Sequence, residues 1–341
     1  GNYIFEIHGF SKADITVLKD NFTRLRDYIV YFNEEYNSYS LIFQSEDAFG
    51  QSEYFATVSG DGLRPDSLIF VENDASPFYQ NQGNFIIISH ESNRSKLEEF
   101  FSHKTGMGFQ PVFAPVEAIY NTFDQGNISP FAIKDYLKYA WNNWSLKPEY
   151  VLIIGDAVHG NRFSIKDSVQ VPVRYFQTLN YGACITDGWY ADINDDYFQD
   201  LMIGRIPAEN DEELEAWLNK TIHYESTPPT GPWRNRATII SGYEIDFKNQ
   251  SQQLINTLLP KQLMIDRIHI NPVAGSGDYY GNTETLVDML NEGKILVNYF
   301  GHGGGAVWND RSLFTLEDME YLENETKPAF INSMTCFTSS F

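Results

Sequence analysis

The chain has 341 residues, 42% of them apolar and 15% aromatic, which is the composition of packed globular domains and excludes a disordered chain. At roughly 100–200 residues per domain, its length implies two or three domains. Against 24 Lys and Arg stand 46 Asp and Glu, a net charge of −22 that repels phosphate backbones, argues against a nucleic-acid partner, and draws cations and basic peptides.

Residues 1–82 carry short aromatic and β-branched runs (Tyr3 to Ile7, Tyr39 to Phe43, Tyr54 to Val58, Ser67 to Val71) between Asn, Asp, Gly and Ser clusters. That texture predicts antiparallel β structure. The segment holds no cluster of catalytic residue types and reads as an accessory, incomplete β domain.

From Gly83 the pattern changes. Phe85 to Ser89 is a continuous apolar run, as expected of a strand buried on both faces. A helix is predicted from Arg94 to Lys104, a strand over Gln110 to Phe113, and helices over Val116 to Phe123 and Pro130 to Trp144. Ser129 is the N-cap of the last of these, with proline at the first helical position. Tyr150 to Ile154 is a second buried strand, ending in Gly155-Asp156. Residues 226–236 read as a linker. Beyond it come a strand (Ala237 to Ser241), a helix (Asn249 to Leu259), a strand (Leu263 to Ile270) and a helix (Thr283 to Asn291). A strand (Lys294 to Phe300), a helix (Thr315 to Leu322) and a strand (Pro328 to Thr335) complete the series. Strand and helix alternate, so the fold class is α/β with a mainly parallel sheet. The α/β region divides into two halves, 83–235 and 236–341.

The strand Lys294 to Phe300 runs into Gly301-His302-Gly303-Gly304-Gly305, and the strand Pro328 to Thr335 runs into Cys336. A strand, a helix and a strand within 40 residues form a crossover unit, so these two strands should be parallel neighbours. Functional groups in open parallel sheets gather beyond the carboxyl ends of the strands, and both side chains stand there. The topology therefore brings His302 and Cys336 together although 34 residues separate them. An imidazole that takes the thiol proton makes a thiolate nucleophile and later protonates a leaving amine. The backbone N–H groups of Gly303 and Gly304, with that of Cys336, are natural donors to an oxyanion. Cys184 has no such partner and reads as structural, although a Cys184–Cys336 bridge remains open.

These motifs together resemble the caspase-like clan of cysteine peptidases, and more closely the gingipain-like peptidases of family C25. Phe85 to Ser89, Asp135-Tyr136-Leu137 through Asp156, Thr186-Asp187 through Asp200-Leu201, and Ile203 to Pro207 share the resemblance, which spans residues 84–341. It implies Cys336 as nucleophile, His302 as base, and a peptide or protein substrate. It further implies calcium-stabilised folding and an exported protein of the bacterial cell surface. It also implies that Asp195 or Asp196 lies near an acid that binds a basic P1 side chain. One subgroup of the family acts as a signal peptidase or sortase of an outer-membrane secretion route, with secretion-system components as partners. Family members continue past the catalytic cysteine, so the sheet of this chain, which stops five residues after Cys336, is expected to be cut short.

Asp192, Asn194, Asp196 and Asp200 place oxygen side chains at alternating positions of a short loop, the pattern of a calcium site without the EF-hand glycine. Asp187 and Asp156 are candidates for a third group that orients His302, with Asp187 preferred. His159 would line the cleft or lie on the surface, and Trp308 would wall a substrate pocket or pack. No zinc spacing appears among the remaining histidines. No organic cofactor is expected, since no Gly-x-Gly-x-x-Gly or Walker-type loop follows a strand. No run approaches about 18 consecutive apolar residues, so no transmembrane segment is predicted. Two cysteines are too few for a disulfide framework. The first residues form no targeting segment, and the chain opens in mid-phrase, so it reads as a trimmed piece. The leading expectation is a cysteine endopeptidase, with a transpeptidase and an inactive calcium-binding surface domain as alternatives.

Overall fold

The computed structural model describes residues 3–19, 23–45, 54–58, 76–80, 82–157, 171–179, 182–271, 273, 275–308 and 310–336. The expected strand Ser67 to Val71, and His159, lie outside the described residues. The chain divides into two units, Gly1–Val71 and Glu72–Phe341.

The first unit is antiparallel, as its short β-branched and aromatic runs require. Ser38–Ser45 is the central strand between Tyr3–Phe10 and Tyr28–Asn33, and Ile15–Lys19 lies between Thr23–Arg24 and Tyr54–Val58. Alternate residues point inward, and Ile15, Val17, Leu41 and Phe43 make a small core. Sequence analysis carried this domain to residue 82, but Ser76–Gln80 is a helical turn packed on the α/β unit. Phe78 is buried with its ring 4.9 Å from that of Tyr136, and its carbonyl accepts the Trp144 indole N–H at 2.9 Å.

The second unit contains two four-stranded parallel sheets. The order in the first is Met202–Ile206, Tyr150–Ile154, Phe85–Ser89, Pro111–Pro115. Its continuous apolar runs follow from burial on both faces. Ile86, Ile88, Val151 and Ile153 pack with the helices Val116–Phe123 and Pro130–Asn143 on one side. Ile87, Leu152 and Ile154 pack with Phe100, Leu214 and Leu218 on the other. Ser129 caps Pro130–Asn143 as expected, its hydroxyl accepting the Phe131 N–H at 3.1 Å.

The order in the second sheet is Met264–His269, Arg236–Ser241, Leu296–Phe300, Phe330–Met334. Ile240, Ile268, Val297 and Tyr299 form its core with Leu286 and Leu290 of the helix Thr283–Asn291. Two elements differ from expectation. The helix predicted from Thr315 to Leu322 is a short strand, Phe314–Thr315, followed by a 3-10 turn, Glu317–Tyr321. The Asp318 carboxylate accepts both the Thr315 N–H (2.7 Å) and its hydroxyl (2.8 Å), which closes the turn between the short strand and the 3-10 segment. The strand Phe330–Met334, shorter at both ends than the expected Pro328 to Thr335, is an edge strand among the described residues, and Phe330, Ile331 and Met334 are all more than half exposed.

Candidate active site

Three neighbouring strands of the second sheet end in register. Ser241 pairs with Phe300, and Phe300 pairs with Met334, so the row closes at one level. Beyond that row the chain delivers Glu244, His302 and Cys336 from adjacent strands. A parallel sheet forces this arrangement, because all carboxyl ends point the same way. Glu244 stands immediately before the helix Ile245–Thr257 and makes no side-chain capping bond, so its carboxylate is free for another partner. That partner is His302, whose Nε2 lies 3.0 Å from Glu244 Oε1, with both side chains nearly half exposed. The Phe247 ring meets the imidazole edge-on at 5.1 Å.

His302 and Cys336 lie on segments that touch. A Cβ on Gly303 would fall 2.6 Å from the Cys336 carbonyl oxygen and would collide with Thr335 Oγ1, so only glycine permits this approach. Gly303 and Gly304 form a short strand paired with Trp308 and Val307, which holds the backbone beside the cysteine. Cys336 is exposed, and neither it nor Cys184 forms a disulfide, which removes the bridge left open by sequence.

Other expected residues lie elsewhere. Asp187 is not the partner of His302. Its two carboxylate oxygens accept from Arg205 Nε and Nη2 at 2.7 and 2.8 Å, in a buried pair of the first half. A loop acid after a strand fits the catalytic face, but the Arg205 guanidinium, on the edge strand Met202–Ile206 of the first parallel sheet, claims Asp187. Asp156 also belongs to the first half, beyond Tyr150–Ile154. Trp308 does not line an open pocket. It is 9% exposed, stacks on Tyr299 at 4.7 Å, and donates its indole N–H to Ser333 Oγ at 2.7 Å. Cys184 sits on the hairpin formed by Arg174–Thr178 and Gly182–Thr186, with Sγ 3.9 Å from Thr178 Oγ1.

The 192–200 loop is closed by its own hydrogen bonds. Asp192 accepts the N–H groups of Asp196 (3.0 Å) and Tyr197 (3.1 Å), and Asp196 accepts that of Phe198 (3.0 Å). Asp200 accepts the Ile193 N–H at 2.9 Å and the Asn194 amide at 2.7 Å. Among the described residues no three His, Cys, Asp or Glu converge on a metal position. Asp192, Asp196 and Asp200 thus accept N–H groups of their own loop, and Asn194 donates to Asp200, so the four expected calcium ligands belong to one hydrogen-bonded loop. Asp195 is held by Lys134 (2.8 Å) and Lys138 (2.6 Å), which keep its carboxyl down at about 2. It borders a cavity of about 480 Å³ with Trp189, Phe176 and Tyr197, on the first half rather than beside His302.

Glu244 is not among the residues expected from sequence, although, like His302 and Cys336, it follows a strand of the second sheet.

The model of peptidase family C25 matches residues 78–341, and the chain belongs to that family. It is similar to gingipain R2 of Porphyromonas gingivalis, 24% identical over 276 residues, which cover 77% of this chain and 33% of the relative. Lys-gingipain W83 of Porphyromonas gingivalis is 26% identical over 162 residues, covering 46% of this chain and 9% of the relative. The chain thus spans about a third of the length of gingipain R2. The crystal structure of the Arg-specific cysteine proteinase gingipain R shares the fold, with a TM-score of 0.61 and 22% identity over 79% of this chain and 57% of that one.

Proposed function

We propose that this chain is a cysteine endopeptidase in which Cys336 is the nucleophile, His302 the general base and acid, and Glu244 the group that orients the imidazole. The observation that carries this reading is the Glu244–His302 hydrogen bond at the level where His302-Gly303 abuts Cys336. A carboxylate on Nε2 favours the tautomer protonated there, which leaves the Nδ1 lone pair to accept the thiol proton. The Cys336 thiolate then attacks a peptide carbonyl, forming a C–S bond while the carbonyl π electrons move onto oxygen. Backbone N–H groups at Gly303, Gly304 and Cys336 would receive that oxyanion. Collapse expels the amine, which takes its proton from His302. Water cleaves the thioester with His302 again as base, and the thiol is restored. The likeness to gingipain R2 supports an exported, cell-surface location for this chain.

Hydrolysis of fluorescein-labelled casein tests the proposal. The parent chain is expected to turn over casein, and Cys336→Ala to lose roughly a thousandfold or more in kcat. Equal rates for the two would leave a binding domain with a family fold.

A further inference from the structure

Asp310 is buried to 2% exposure, and nothing in the proposed reaction uses it. Its Oδ2 accepts the backbone N–H of His302 at 2.7 Å and lies 2.8 Å from the Tyr299 hydroxyl, which in turn is 2.8 Å from the His302 carbonyl oxygen. Burial, reinforced by the Asp310 carboxylate, pushes the Tyr299 phenol up, so Tyr299 remains a neutral O–H donor. The same oxygen sits in a cradle of two glycines. A Cβ on either Gly242 or Gly301 would fall on Asp310 Oδ2. Gly242 precedes Glu244 by two residues, Gly301 precedes His302 by one, and the Gly242 N–H donates to the Phe300 carbonyl at 2.7 Å. The backbone bends to present this acid, since Arg311 and Ser312 follow it with φ of 56° and 49°, a region costly for residues other than glycine. The other carboxylate oxygen, Oδ1, has no hydrogen-bond partner among the described residues, so the group is held for what Oδ2 does.

We propose that Asp310 is a positioning residue: its carboxylate, seated between Gly242 and Gly301, fixes the backbone of His302 against the loop that carries Glu244. The inference rests on the reading of Cys336, His302 and Glu244 as the reacting groups. A buried carboxylate on a backbone N–H is a strong, charge-assisted hydrogen bond, and it locks the peptide plane that aims the imidazole. Displacing a catalytic group by about 1 Å costs on the order of a hundredfold in rate.

The test compares Asp310→Ala, Asp310→Asn, Tyr299→Phe, His302→Ala and Cys336→Ala in the full chain. The readouts are kcat and KM on fluorescein-labelled casein, the rate of Cys336 alkylation by iodoacetamide, and the folded fraction by circular dichroism. Asp310→Ala is expected to lower kcat per folded molecule by roughly 30- to 100-fold. It should slow alkylation in parallel and leave KM within about twofold. Asp310→Asn keeps an acceptor oxygen at the same place and should recover at least a third of the parental kcat. If Asp310→Ala does not fold, the Asn and Tyr299→Phe variants decide, with Tyr299→Phe expected to lose about threefold. Parental kcat per folded molecule in Asp310→Ala, or a folded Asp310→Asn as inactive as Ala would be, overturns the inference while His302→Ala and Cys336→Ala stay inactive. Activity in those last two variants would instead overturn the reading on which it rests.

Discussion

Glu244 and Asp187 are chemically alike, and their surroundings separate them. Asp187 faces an arginine that is itself 2% exposed, so its removal takes the bidentate carboxylate from a buried cation. Breaking such a pair costs about 3 kcal/mol. Glu244 lies nearly half exposed on an imidazole, where its bond orients the ring and adds little stability. The expected outcome is a split. Asp187→Asn lowers the urea midpoint with kcat per folded molecule within about twofold. Glu244→Ala leaves the midpoint nearly unchanged and lowers kcat roughly 10- to 100-fold, the usual loss when an imidazole loses the group that orients it. Urea melts and casein turnover of the same preparations check both halves. The opposite split would make Asp187 the orienting acid.

Among elements, the glycine-rich strand Gly303–Gly304 and the strand Phe330–Met334 govern how closely the Thr335–Cys336 backbone approaches the segment after His302. The approach is set by one missing side chain. Gly303→Ala is expected to push the Thr335–Cys336 backbone away and to lower kcat roughly a hundredfold. Gly305→Ala meets nothing within 4 Å and should match the parent, so the pair separates a packing collision from a general loss of turn flexibility. Casein kinetics on both variants check this, and equal activity would contradict the close contact. Element boundaries were legible where local chemistry sets them. Val116–Phe123, Tyr150–Ile154 and Thr283–Asn291 stand where apolar period and caps placed them. They were hidden at Glu317–Tyr321, where a 3-10 turn stands in place of the expected α-helix.

At the scale of the molecule, sequence alone carried the α/β class, the parallel pairing of the strands that lead to His302 and Cys336, and the family. It missed the contacts that depend on which acid meets which cation. In the 192–200 loop Asp192 closes on backbone N–H groups and Asp195 on two lysines of a helix more than 50 residues earlier. Periodicity reports which face is buried, whereas the partner of a loop acid depends on residues far along the chain. Glu244 is 58 residues before His302, and Asp310 accepts the His302 N–H from eight residues later.

The account turns on a thiol activated by its neighbours, and the two cysteines of the chain provide an internal comparison. Iodoacetamide labelling at neutral pH, read out by peptide mass spectrometry, measures this directly. The account predicts that Cys336 is alkylated at least tenfold faster than Cys184 and that His302→Ala removes the difference. Equal rates at the two thiols in the parent chain, or a Cys336 rate indifferent to His302, would contradict it.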